Sequence, residues 1–276
     1  MRIKRFGWVR DIPDQRDFRY QPPSRVARAL PPKVDLRNGF TPCYNQGALG
    51  SCTANAIAGA LEFLERKEGE APPVMPSRLF IYYNERALEG TVASDSGAQI
   101  RDGIKTVVKR GFCAEDLWPY DIKRFAAKPP DSCYRAALKE QVSEYLRLDH
   151  ESATPLLTCL ATGFPFVFGF SVYESFESPS VASTGAVQMP KLGERVLGGH
   201  AVVACGYDLK ASRFTVRNSW GGRWGAGGYF TMPFAYLTDA YLSADFWTIR
   251  RVPVAARRRA QLVTSTQTRP GGRLSA

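Results

Sequence analysis

Near residue 160 the sequence changes from a helical period to a strand period, and that change leaves few architectures open. Before it, Ile57, Ala60, Leu61 and Leu64 follow the i, i+3, i+4, i+7 rule over residues 52–68, with Gly69 placed as a stop. A second helix is predicted from Ser77, its cap, to about Glu89, closed by Gly90. A third, from about Ala98 to Arg110, would bury Ile100, Ile104, Val107 and Val108 before Gly111 ends it. After residue 160 come short β-branched and aromatic runs separated by turns: "FPFVFGFSV", "HAVVACGYD", "RFTVRNSW", "GGYFTM" and "DFWTIR". Such runs form an antiparallel sheet or barrel. The fold class is therefore α+β, with a helical lobe and a β lobe meeting in a cleft.

The 276 residues, 44% of them hydrophobic, suffice for a sizeable core. No run of 18 apolar residues exists, and the N-terminal "MRIKRFGWVRDIPDQRDF" has the charges of a signal peptide without its apolar stretch. No secretory or membrane segment is visible, so a cytoplasmic location is the default expectation, with non-standard export left open. The net charge of +11 suggests a polyanion binder until it is mapped. Residues 1–28 hold eight Arg or Lys and three Asp, and residues 250–276 hold seven Arg and no acid, which leaves the body of the chain close to neutral. Residues 252–276 are expected to be a basic, disordered tail. Residues 1–29 form a polar extension ahead of "LPPKVDLRNG", yet they carry Phe6, Trp8, Phe18 and Tyr20. Two readings suit it: a strap packed outside the domain, or a lid that crosses or borders the cleft.

Six cysteines form no CxxC pair, and the only histidines are His150 and His200. A metal site needs denser ligands, so neither a metal nor a cofactor is expected. The pairing of the cysteines stays open.

The stretch "YNQGALGSC" ends at Cys52, which falls at the mouth of the first predicted helix. There the positive end of the helix dipole stabilises a thiolate, the nucleophilic form of cysteine. Gly47 and Gly50 let a ligand approach the backbone, and Gln46 can add a side-chain amide donor to the backbone N–H of Cys52. A thiolate needs a proton-transfer partner. His200, in "LGGHAVVACGYD", heads a predicted strand, and Asn218 follows eighteen residues later, a separation that suits the neighbouring strand after a turn at 209–212. Asn218 could then fix the imidazole tautomer, with Trp220 covering the bond.

Together "LPPKVDLR", "NQGALGSC", "DSGAQIRDGI", "GGHAVVACGYD" and "RNSWGGRWGAGGYF" resemble the papain family (C1-type) of cysteine peptidases over roughly residues 30–250, and short bacterial members of the xylellain kind in particular. The resemblance implies a papain-like two-lobed fold over residues 30–251. It makes Cys52 the nucleophile, His200 the acid and base, Asn218 its orienter and Gln46 the oxyanion-hole residue. By the same likeness Ser96 and Gly97 become cleft wall, and Gly199 and Trp220 border the substrate. It implies thioester acyl transfer on a peptide or protein substrate, with no metal, membrane or nucleic-acid partner. The exopeptidases of the family often carry extra histidines on a loop that closes one end of the cleft; with His150 as the one spare, an endopeptidase is expected. Gly199 and "FPFVFGF" predict an apolar wall and hence an apolar side chain two residues before the scissile bond.

This chain departs from the family pattern as well. Leu49 stands in place of a cysteine and Thr53 in place of an aromatic residue, and no cysteine lies between Thr53 and Phe112, so one family disulfide is missing as a pair. The extension is too short for the long helical pro-segment typical of the family, though a zymogen remains one reading of it. Two alternatives are an inactive peptide-binding or other acyl-transfer protein of the same fold, and a polyanion binder acting through its Arg-rich ends.

Overall fold

The computed structural model describes residues 6–67, 74–140, 142 and 144–250. The extension supplies β1 (Trp8–Val9) and α1 (Ser24–Arg28), and β2 (Lys33–Asp35) follows. The helical half comprises α2 (Cys52–Lys67), α3 (Arg78–Glu89), the short β3 (Ala98–Gln99), α4 (Ile100–Arg110) and α5 (Asp131–Ala137). The strand-rich half runs β4 (Glu144–Arg147), α6 (Ala153–Ala161), β5 (Phe166–Tyr173), α7 (Pro179–Thr184), β6 (Val196–Asp208), β7 (Arg213–Arg217), β8 (Tyr229–Pro233), α8 (Phe234–Thr238) and β9 (Ser243–Arg250). The expected α+β division is therefore present.

Local chemistry sets the helix ends. The Ser77 hydroxyl accepts a hydrogen bond from the Phe80 N–H at 3.1 Å, and Gly90 closes α3 in the left-handed region at φ 74°. In α4, Ile100, Ile104 and Val107 are buried and Val108 half-buried, and the helix stops at Gly111. The expected stop of α2 at Gly69 and the tail 252–276 lie outside the described residues. Among the described residues, no helix is long and apolar enough to cross a membrane.

The large sheet has the order β4-β9-β5-β6-β7-β8, with β2 also pairing on β6. Antiparallel register sets Phe170 opposite His200 and Val203 opposite Arg217. Two cores result. One gathers the apolar faces of α2, α3 and α4, and the other fills the β half with Phe166, Phe168, Phe170, Phe214 and Phe230. A buried ion pair, Arg217 on β7 to Glu62 on α2 at 3.8 Å, ties the lobes together.

The extension is built into this frame. β1 pairs in parallel with β3, Trp8 beside Ala98. Further along, the N–H of Arg147 donates to Phe18 O and that of Tyr20 to Arg147 O, both at 2.8 Å, so the chain also lies along the edge strand β4. Tyr20 and Trp8 are buried, whereas Phe18 faces solvent.

Candidate active site

Cys52 is the first residue of α2 and is wholly buried, with the backbone N–H groups of Ala201, Gly7 and Thr53 among the influences that favour its thiolate against burial. Ala201 follows His200 on β6, so the long central strand brings the imidazole to the helix mouth. A turn at Leu209–Ser212, with Ser212 at φ 54°, sends the chain back along β7 and delivers Asn218 just past its end. His200 Nε2 lies 2.8 Å from Asn218 Oδ1, and that oxygen also accepts from the Ser219 N–H at 2.8 Å. Because Oδ1 is an acceptor, Nε2 carries the hydrogen. Nδ1 is then left bare, buried and without a hydrogen-bond partner. Trp220 covers the pair with its ring centroid 5.0 Å from the imidazole, and Phe170 meets the imidazole edge-on at 5.8 Å.

Gln46 is also buried and held at both ends of its amide. Nε2 donates to Leu49 O at 2.9 Å, and Oε1 accepts from the Ser219 hydroxyl at 2.6 Å. The second N–H of Nε2 is free to serve an oxyanion. Gly199, next to His200, backs onto Trp8, and Gly97, at φ 73°, faces the carbonyl of Gly7. Ser96 behaves differently. Its side chain is exposed and donates within its own loop, to Thr91 Oγ1 at 2.9 Å and Gly97 O at 3.0 Å. The residue beside it carries more: Asp95 accepts the Gly50 N–H at 3.0 Å and the Tyr82 hydroxyl, tying the loop to the chain before Cys52. The "DSGAQI" run held that signal, but only the partner in space reveals it.

The extension occupies the site. A Cβ on Gly7 would overlap the carbonyl of Gly50, so backbone lies against backbone, and the Ala98 N–H donates to Gly7 O at 2.8 Å. Phe6 stands 6.4 Å from the His200 ring and 6.3 Å from that of Trp220. Exclusion of water changes the protonation expected from the helix dipole alone. Burial pushes the Cys52 thiol up to about 12 and the His200 imidazole down to about 4, so the covered pair is thiol and neutral imidazole, not thiolate and imidazolium. The sequence-based expectation of a thiolate thus applies only to an uncovered site.

Two carboxylates absent from the sequence reading anchor this segment. Asp245 Oδ2 accepts from Trp8 Nε1 at 2.9 Å and from the Asp11 N–H at 2.8 Å, while Asp11 accepts from Trp247 Nε1 at 2.8 Å and the Arg101 N–H at 3.1 Å. Burial and the nearby Asp245 raise the Asp11 carboxyl to about 7 against the attraction of Arg101. The docked strap thus holds a proton that a freed strap would release. Docking is strongest below the ordinary carboxyl value of 3.8 and weakens as pH rises towards about 7. The rate at which Cys52 is alkylated should therefore rise from pH 5 to pH 7 in the wild type, and Asp11→Asn should flatten that rise. An unchanged slope in the variant would show that Asp11 does not govern docking.

Among the described residues no group of three or more His, Cys, Asp or Glu could hold a metal ion, and all six cysteines are buried and unbridged. His150 stacks on Phe246 at 4.6 Å.

The sequence pattern of the papain family cysteine proteases matches residues 30–237. Xylellain, a cysteine protease from Xylella fastidiosa, is 44% identical and superimposes with a TM-score of 0.85 over 91% of this chain and 98% of its own. An uncharacterised peptidase C1-like protein of Acanthamoeba polyphaga mimivirus is 44% identical over 90% of this chain and 88% of its own length. Bovine pro-cathepsin H is 29% identical over 72% of this chain and 59% of its own length. With the fold, the motifs and these likenesses in agreement, the chain belongs to the papain family of cysteine proteases.

Proposed function

We propose that this chain is an endopeptidase working through Cys52, His200 and Asn218, kept closed by its own residues 6–11. The observation that carries the reading is the His200 Nε2 to Asn218 Oδ1 bond, which leaves Nδ1 bare and buried on the strand that packs against α2, the helix that begins at Cys52. Once the strap lifts and water enters, the desolvation that holds both groups neutral is relieved. The thiol proton then passes to Nδ1, giving thiolate and imidazolium. The thiolate attacks a peptide carbonyl, with the oxyanion received by the Gln46 amide and the Cys52 N–H. His200 returns its proton to the leaving amine as the thioester forms. The same imidazole then takes a proton from water, whose oxygen attacks the thioester and regenerates the thiol. His150 is engaged with Phe246, and no second histidine stands ready to bind a substrate terminus, which favours cleavage inside a chain.

Brief treatment with an epoxysuccinyl reagent followed by mass spectrometry should label Cys52 before the other five cysteines, and hydrolysis of a peptide library should follow the same conditions. Label elsewhere with Cys52 untouched would overturn the assignment. Asn218→Ala should lower kcat by about 100-fold with KM little changed, since Asn218 orients the base and does not react. A change confined to KM would mean that it serves binding instead.

A further inference from the structure

The turn that joins the two oxyanion donors is built from small residues, and a tyrosine from the loop after α4 braces it. Between Gln46 and Cys52 run Gly47, in the left-handed region at φ 63°, then Ala48, Leu49, Gly50 and Ser51. Glycines leave such a turn soft. A side-chain amide at one end and a backbone N–H at the other can share one oxygen only if their separation is fixed. Asp95 holds the Gly50 N–H, but the two ends of the turn are held elsewhere.

At the first end, the Gln46 N–H donates to Ser219 O at 2.8 Å, and the Gln46 carbonyl accepts from the Tyr120 hydroxyl at 3.0 Å. At the second, the Ser51 carbonyl accepts from the Asn55 N–H at 3.0 Å and from Asn55 Nδ2 at 2.8 Å. In a trans peptide the N–H lies opposite the C=O, so these bonds turn the Cys52 N–H out of the helix mouth. One phenol oxygen joins the two ends. Tyr120 Oη, already bonded to Gln46 O, lies 2.5 Å from Ser51 Oγ.

The donors can be assigned. A carbonyl only accepts, so the single phenol hydrogen goes to Gln46 O and the Ser51 hydroxyl donates to Tyr120. Ser51 Oγ in turn accepts from Asn55 Nδ2 at 3.1 Å, and Asn55 Oδ1 accepts from the Arg78 guanidinium at 3.4 Å. The donors all run one way, from Arg78 to Gln46, and each bond polarises the next. The same guanidinium stacks 4.0 Å over the Tyr120 ring and is itself held by Glu115 at 2.5 Å, which keeps the ring from swinging away. Burial raises the Tyr120 phenol above its ordinary value, so it keeps the proton it donates.

Resting on the peptidase reading above, we propose that Tyr120 is a positioning residue that sets the separation of the Gln46 amide and the Cys52 N–H, and so how well both meet the oxyanion. It acts through the two donors and takes no part in the bond changes.

A peptide aldehyde and iodoacetamide separate the oxyanion site from the nucleophile. The aldehyde carbon bonds to the Cys52 sulfur while its π pair moves onto oxygen, which takes up the thiol proton and sits between the two donors. Iodoacetamide is attacked at a saturated carbon, loses iodide and forms no oxyanion. Strap occupancy scales both and cancels in their ratio. Tyr120→Phe, which keeps the ring but loses both hydroxyl bonds, should weaken aldehyde binding about tenfold and lower kcat on a peptide amide by a similar factor. KM, Tm and iodoacetamide alkylation should stay close to wild type. Gln46→Ala should weaken the aldehyde about 100-fold, and adding Tyr120→Phe should cost less than about twofold more, since with one donor gone no separation is left to set.

The proposal is overturned by unchanged aldehyde affinity in Tyr120→Phe, by a fall that iodoacetamide alkylation matches, or by the same tenfold loss in the Gln46→Ala chain. If Tyr120→Phe melts below the assay temperature, Ser51→Ala cuts the brace at its other end. That variant should weaken the aldehyde about threefold with alkylation unchanged, and no loss there overturns the proposal too. An aldehyde unmoved by Gln46→Ala removes Gln46 from the site and the proposal with it. Amide substrates keep the two readings apart: the expected aldehyde effects without hydrolysis retire the peptidase and leave the brace. Hydrolysis that Gln46→Ala impairs and Tyr120→Phe leaves unchanged retires the brace alone.

Discussion

A Cys52→Ala chain is expected to hydrolyse peptides about 10⁵-fold more slowly than the wild type, with its Tm nearly unchanged. The magnitude follows from chemistry. Without the sulfur no thioester forms, and His200 and Gln46 can only polarise a carbonyl that water must attack directly. The stability expectation follows from size: the thiol is one small buried group at the mouth of α2, and its removal leaves a space of a single sulfur atom. Release of a fluorophore from a short peptide amide, followed over hours, measures the loss, and calorimetry checks the fold. A variant that retains more than a hundredth of the wild-type rate would exclude Cys52 as the nucleophile.

The second large effect is expected from Gly7→Ala, a substitution outside the catalytic groups. A methyl at residue 7 cannot coexist with the Gly50 carbonyl in the docked geometry, and backbone on both sides leaves nothing soft to yield. The strap must shift or lift. Alkylation of Cys52 at neutral pH should then accelerate about 100-fold, and kcat/KM on a small peptide should rise in step, because both report the uncovered fraction. Trp8→Ala should act in the same direction by removing a buried indole and its bond to Asp245. Hydrogen exchange would show the Ala98 N–H losing protection as its bond to Gly7 O breaks. Alkylation and hydrolysis rates equal to those of the wild type in both variants would mean that residues 6–11 do not limit access.

Much of the site was legible because it is written in local chemistry. A serine cap and a left-handed glycine bound α3, and apolar residues at helical spacing define α2 and α4. Strand–turn–strand spacing across 209–212 is enough to set His200 against Asn218, as the 2.8 Å contact bears out. Glycine and glutamine before Cys52 similarly mark a close approach to backbone. Motif position was a weaker guide at Ser96, whose side chain turns back into its own loop while Asp95 holds the chain before Cys52.

By itself, then, the sequence determined the elements, their division into two lobes, the family and the positions of Cys52, His200, Asn218 and Gln46, the four polar groups proposed for catalysis. Only the tertiary structure decided their state. Burial pushes the Cys52 thiol up and the His200 imidazole down, towards their neutral forms, and Phe6 of the extension packs against the imidazole there. The strap's route and the role of Asp245 were equally hidden. Trp8 and Asp245 stand 237 residues apart, and no period, cap or turn links positions so distant. Their pairing arises only when the strap docks against β6 and β9, and the buried carboxylate acquires its meaning from the indole that bonds it.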